Sequence, residues 1–212
     1  MARPVLYILA GVNGAGKSSI GGYLLTQAGL AWFNPDTFAR DLMAGTDCSQ
    51  NEANAAAWHE GVRRLDHAIS AGRSFAFETT LGGNTIPARI MSATHSHDVI
   101  IWFCGLDSAA QHIARVKSRV AMGGHDIPEA KIRERCMTSI ANLIHLMPSL
   151  THLRVYDNSI TVEPGHAVPD PVLVLEMAHG KLLWPTSSQD LRRTPEWAKP
   201  LVEAAITVRK RQ

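Results

Sequence analysis

Cysteine is scarce in this 212-residue chain: Cys48, Cys104 and Cys136 are all it holds. They are odd in number and share no metal-ligand spacing, which excludes a disulfide framework and a cysteine-built metal site. Cys104 lies in an apolar run and reads as a small core residue. Long hydrophobic runs are missing as well. No stretch approaches the roughly 18 apolar residues of a membrane helix, and the opening MARPVLYILAG carries one basic residue and a very short apolar run, so no secretory signal is expected. A reducing, cytoplasmic setting is the expectation. Neither sign of charge dominates, with 21 Lys+Arg against 19 Asp+Glu and a net charge of +2. That balance provides no field for nucleic acid or an acidic membrane. Aromatic residues make up 6%, which argues against a groove that stacks single-stranded bases. Neither nucleic acid nor membrane is expected as a partner.

What is present is ordinary soluble-protein material, 45% hydrophobic and 19% charged, long enough to bury one proper core. Apolar runs at 5–10, 74–79, 99–105 and 152–157, with a shorter one at 30–34, read as strands. Between them lie helix-period segments at about 17–28, 51–71, 84–95, 108–122 and 128–147. This alternation predicts an α/β, three-layer fold of the P-loop NTPase and kinase type: a mostly parallel five-stranded sheet with helices on both faces. After residue 160 the character changes to a loop, a hairpin (PVLVLEM-AHGK-LLW) and a terminal helix interrupted by Pro200. No repeat or linker divides the chain, so 1–212 is expected to be a single domain, with a core over 1–160 and a C-terminal hairpin and helix over 160–212.

The segment GVNGAGKSS, residues 11–19, fits Gly-x-x-x-x-Gly-Lys-Ser between a strand and a helix. Glycines let backbone N–H groups curl round a phosphate, and the helix amino terminus adds its positive dipole end. Gly11, Asn13, Gly14, Ala15, Gly16, Lys17, Ser18 and Ser19 are therefore candidates for binding ATP. Lys17 would reach the β- and γ-phosphates and the Ser18 hydroxyl would ligate Mg2+. Neither an Asn-Lys-x-Asp motif of GTPases nor a Ser-Gly-Gly-Gln signature of ABC ATPases is present, and VIIWFCGLD delays its aspartate past a glycine. Small-molecule or nucleotide kinases remain.

Further stations gather where strands end, the side on which ligands bind in open α/β sheets. In NPD (34–36), Asp36 either takes the proton of an acceptor hydroxyl or caps a helix. In FETT (77–80), Glu78 and Thr80 either contact the acceptor, with Glu78 also able to reach Mg2+ through water, or Glu78 is a partly exposed partner of an arginine. Arg115, Arg119, Arg133 and Arg135 sit on two helices joined by a glycine turn, around 108–147. They read as a helical lid that neutralises moving phosphoryl charge, or as a solvated face paired with Glu129 and Glu134. His125 reads as a loop residue. YDNS (156–159) borders the expected adenine position.

Together GVNGAGKSS, NPD, FETTLGG and RVKSRVAMGGHDIPEAKIRERCMTSIANL resemble the zeta-toxin family of P-loop kinases, in its compact bacterial branch, over roughly residues 4–160. The resemblance implies an ATP- and Mg2+-dependent kinase acting on a hydroxyl of a UDP-activated amino sugar, UDP-N-acetylglucosamine, with an antitoxin protein as partner. It further implies that Asp36 is the catalytic base, that Lys17 and Ser18 serve ATP and Mg2+, and that Glu78 and Thr80 contact the acceptor. The phosphate-binding arginines fall within 115–135, with Arg119 and Arg135 favoured as catalytic and Arg115 as nucleotide-binding. Cys136 and Thr138 stand where relatives commonly show an aromatic and an arginine. A kinase for another small hydroxyl compound, a nucleic-acid kinase and a non-catalytic ATP-binding switch are the alternatives.

Overall fold

A computed structural model describes residues 2–18, 21, 31–162 and 169–209. Six strands form one sheet in the order β2-β1-β3-β4-β5-β6: β1 (Val5–Ala10), β2 (Phe75–Thr79), β3 (Asp98–Gly105), β4 (His152–Asp157), β5 (Val172–Ala178) and β6 (Lys181–Trp184). The first four are mutually parallel. β5 and β6 add to the β4 edge antiparallel, through a turn in which His179 and Gly180 both have positive φ. That pair of conformations is what a two-residue hairpin turn matching the sheet twist requires. The expected hairpin thus extends the sheet to six strands. The expected strand at 30–34 is reduced to a single bridge, Phe33 to Phe77, because Asn34 already begins the cap of the next helix and Pro35 follows it.

The helices are α1 (Pro35–Gly45), α2 (Gln50–Ser70), α3 (Thr85–Ala93), α4 (Ala109–Ala121), α5 (Glu129–Leu146), α6 (Ser188–Arg192) and α7 (Lys199–Arg209). Their starts follow from local chemistry. Ser49 and Glu52 form a reciprocal capping box at α2, and Ser108 accepts from the Gln111 N–H at α4. Pro200 lies in the first turn of α7 and does not interrupt it, since a proline there removes an N–H that has no helical partner anyway. The helix expected from Lys17 to Ala28 lies largely outside the described residues.

Alternation along the strands sorts the core. Leu6, Ile8, Val99, Ile101, Phe103, Leu153 and Val155 pack on one side with Leu65 of α2, Ile90 of α3, Leu143 and Leu146 of α5, and Leu201 and Val202 of α7. Leu9 and Cys104 turn to the other side with Ala15. Gly21 also lies there, because a Cβ on it would come within 2.2 Å of Leu9 Cδ2. α1 meets α2 through the small residues Ala39, Ala53 and Ala57. With β1 to β4 parallel, their carboxyl ends share one edge of the sheet. The loops that follow them carry Gly11–Gly16, Thr80, Asp107 and Asn158, with Lys17 opening the helix after the first.

Candidate active site

The loop after β1 is built against β3 and α4. Gly11 has φ +137°, and a Cβ there would stand 2.2 Å from the Cys104 carbonyl oxygen. Gly14 has φ +82°, with the His112 carbonyl 2.8 Å from its hypothetical Cβ. No other residue type fits either place without moving backbone. Asn13, buried at the apex, is held twice. Its carbonyl accepts from His112 Nδ1 at 2.8 Å, and its Oδ1 accepts from Arg135 Nη1 at 2.7 Å. A carbonyl only accepts, so Nδ1 carries the proton of a neutral imidazole. Burial pushes the His112 pKa down to about 4, with Lys17 and Arg115 adding to the effect and the Asn13 contact opposing it. Burial likewise holds the Arg135 guanidinium below its ordinary value, against the opposing pull of Glu134 and Asp36.

Lys17 and Glu78 face each other below this loop. Lys17 Nζ lies 3.5 Å from Glu78 Oε1, with 7% and 9% of the two side chains exposed. The other carboxylate oxygen accepts from Ser18 Oγ at 2.9 Å and from Asn34 Nδ2 at 3.0 Å. Glu78 is therefore a buried carboxylate satisfied by a lysine, a hydroxyl and an amide, and not a partly exposed partner of an arginine. Asn34 also settles what caps α1. Its Oδ1 accepts from the N–H groups of Asp36 and Thr37 at 2.9 and 3.2 Å, which leaves the Asp36 carboxylate free of capping. Asp36 is exposed, and its Oδ2 meets only Arg119 Nη1 among the described residues, at 3.4 Å. Arg119 is itself loosely engaged: Nη2 reaches the His125 carbonyl at 3.4 Å, and Nε is buried without a partner among the described residues.

A cavity of about 370 Å3 joins these groups. Asn13, Lys17, Asp36, Glu78, Thr80 and Arg135 line it, as does the 125–128 turn between α4 and α5. Its far wall is a face of α2 carrying Asn51, Asn54 and Trp58, with Phe33, Phe77 and Lys131 nearby. Of the candidates from sequence, Gly11, Gly14, Ala15 and Gly16 frame the loop, Ser18 touches Glu78, and Arg119 pairs with Asp36. Arg115 points elsewhere: its Nη2 donates to the carbonyls of Asn158 and Ile160 at 2.8 and 3.0 Å. Arg133 is exposed and absent from the cavity lining. It lies two residues from Arg135, about 200° round the helix, so both cannot turn inward. Ser19 lies outside the described residues. His125 contributes its carbonyl to Arg119 and lines the cavity, in keeping with a loop role.

Several residues that line or brace the cavity carry signals in the sequence. Asn51, Asn54 and Trp58 share one helical face by their spacing. Asn34 before a proline and an aspartate is an N-cap pattern. His112 gives no such signal, because its role depends on the loop that folds onto it.

The sequence and the fold have counterparts among known proteins. The zeta toxin family profile matches residues 1–162. Over 149 residues the chain is 29% identical to an uncharacterized protein of Haemophilus influenzae, which spans 64% of this chain and 99% of that protein. The fold is similar to a chain of the AvrRxo1-ORF1:-ORF2 complex with ATP, with a TM-score of 0.61 and 18% identity over 92% of this chain and 64% of that one. It is also similar to a chain of the PezAT chromosomal toxin–antitoxin system of Streptococcus pneumoniae, with a TM-score of 0.54 and 14% identity over 100% of this chain and 86% of that one. With the family profile covering its whole parallel sheet and loop after β1, the chain belongs to the zeta toxin family.

Proposed function

We propose that this chain is an ATP-dependent kinase that transfers the γ-phosphate to a hydroxyl of a UDP-activated amino sugar, UDP-N-acetylglucosamine. One observation carries the reading: Lys17, Glu78 and Arg135 at one end and the uncapped Asp36 carboxylate line a single cavity with an open far wall. The phosphates of ATP lie in the 11–17 loop against its N–H groups and Lys17. The acceptor hydroxyl gives its proton to Asp36, its oxygen attacks the γ-phosphorus in line, and the bond to the β-phosphate oxygen breaks to leave ADP. Arg135, already against the loop through Asn13, and Arg119, which holds Asp36 only at long distance, stabilise the charge on the moving phosphoryl group.

Mg2+ fits the phosphate end, where the Ser18 hydroxyl and Glu78 carboxylate are hard oxygen donors 2.9 Å apart. Ser18 would hold it together with phosphate oxygens, with Glu78 acting through water, and the ion would neutralise the β- and γ-oxygens. The far wall suits the rest of the acceptor. Trp58 supplies an aromatic face, Asn51 and Asn54 supply amide donors and acceptors, and Lys131 supplies a cation for a diphosphate. An antitoxin protein as partner is supported by the likeness to the PezAT system.

The test is a transfer assay with purified protein, Mg-ATP and a panel of UDP-sugars and free sugars, read by mass spectrometry. A gain of one phosphate on UDP-N-acetylglucosamine, reduced in Trp58→Ala, is the expected result. Transfer to a free sugar alone would assign another hydroxyl acceptor. ATP binding with no transfer to any compound would turn the reading towards an ATP-binding switch.

A further inference from the structure

The family match ends at residue 162, yet the chain beyond it reaches back beneath the nucleotide loop. The short turn before α7, Glu196–Ala198, sets Trp197 against the carboxyl end of β3. A Cβ at Gly105 would stand 2.2 Å from the indole, so glycine there is what lets the ring lie on the strand. The indole Nε1–H donates to Asp157 Oδ1 at 3.2 Å. That same oxygen accepts from the Ser159 N–H at 3.2 Å and from the Ser159 hydroxyl. Three donors on one oxygen fix the rotamer of Asp157 and the turn that follows it.

The turn is then tied to the nucleotide loop. Asn158 Nδ2 donates to the Ala15 carbonyl at 2.9 Å, and Arg115 holds the carbonyls on either side of Ser159. A line of direct contacts therefore runs from the C-terminal segment through Asp157 and Asn158 to Ala15. Trp197, Val12 of the loop and His112 of α4 line one cavity of about 120 Å3. The coupling is through hydrogen bonds, and the indole N–H is the donor that comes from outside the family-matched region.

We propose that Trp197 is a positioning residue for the nucleoside half of the nucleotide site. It acts through Asp157 on the 158–160 turn, which borders whatever extends from phosphates held in the 11–17 loop. The inference rests on the kinase reading above. Trp197→Phe keeps the ring and deletes the N–H, and Asp157→Ala removes the shared acceptor. Calorimetric titration with Mg-ATP and with Mg-tripolyphosphate, which has phosphates but no nucleoside, separates the two halves of the site. Both variants are expected to bind ATP about tenfold more weakly, the effect of one hydrogen bond to a charged acceptor. Tripolyphosphate affinity is expected to stay at the wild-type value. Unchanged ATP affinity in both variants overturns the proposal, as does an equal loss for both ligands, which would indicate general damage to the loop. Wild-type protein that binds neither ligand would instead remove the nucleotide site itself, and this inference with it.

Discussion

The two ends of the central cavity are built differently. At the buried end Asn13, Lys17 and Glu78 are each less than a tenth exposed, and each is tied to a neighbour by a hydrogen bond or ion pair. At the other end Trp58 is 47% exposed, Asp36 is exposed, and its one ion-pair partner among the described residues stands 3.4 Å away. A buried, fully satisfied polar cluster is rigid and intolerant of losing a member, because the remaining partner keeps its desolvation without compensation. An exposed wall can change residues at small structural cost. On the proposed reading, the buried end fixes a donor common to many kinases, while the exposed end is where acceptor specificity can vary without harming the fold.

The sharpest way to break this contrast is at Lys17. Lys17→Met is expected to lower kcat by about 10³ through loss of phosphate stabilisation. It should also destabilise the fold by about 3–5 kcal/mol, because Glu78 is left as an uncompensated buried charge. Adding Glu78→Gln should restore most of the melting temperature and none of the activity; a single variant as stable as wild type would show that the pair is not buried in solution. Gly11→Ala forces a side chain towards the Cys104 carbonyl at positive φ, and chemical denaturation should report a loss of at least about 1–3 kcal/mol. At the other end, Trp58→Ala should leave stability and the KM for ATP unchanged while raising the acceptor KM about tenfold, the scale of one lost stacking contact. A rise in the KM for ATP would place Trp58 on the wrong side of the cavity.

The smallest effect concerns His112. Its folded pKa of about 4 lies below the ordinary 6.5, so between these values the unfolded chain binds the proton more readily than the folded one. The His112 contribution to stability is therefore complete above pH 6.5 and lost as pH falls towards 4. His112→Gln should flatten the fall in stability between pH 6.5 and 4 and leave the slope of stability against pH above 6.5 as in wild type, as measured by denaturation at a series of pH values.

The contrast also explains what could be read from the sequence. The loop over 11–18, Glu78 closing an apolar strand and the strand–helix alternation are local patterns, and each stands where the chain alone suggested. The pairing of Glu78 with Lys17 and Asn34, the hold of His112 on Asn13, and the reach of Trp197 back to Asp157 join residues 40 to 99 positions apart. No local pattern announces such contacts; the sheet order creates them. Residues 30–34 misled for the converse reason. Their apolar run suits a strand, but Asn34 and Pro35 commit the chain to a helix before a ladder can extend. The four arginines read as one lid divide by helix phase and partner into Arg135 at the loop, Arg119 at Asp36, Arg115 on a neighbouring turn and Arg133 in solvent.

On the proposed reading, ATP is held at the buried end while the exposed Asp36 performs the proton transfer. That reading is tested most directly by measuring turnover on the accepted UDP-sugar and the ATP dissociation constant for wild type and Asp36→Asn side by side. The same ATP affinity and melting temperature are expected in both, with kcat lower in the variant by about two to four orders of magnitude. Turnover retained in Asp36→Asn, or lost only in proportion to a fall in ATP affinity, would contradict it.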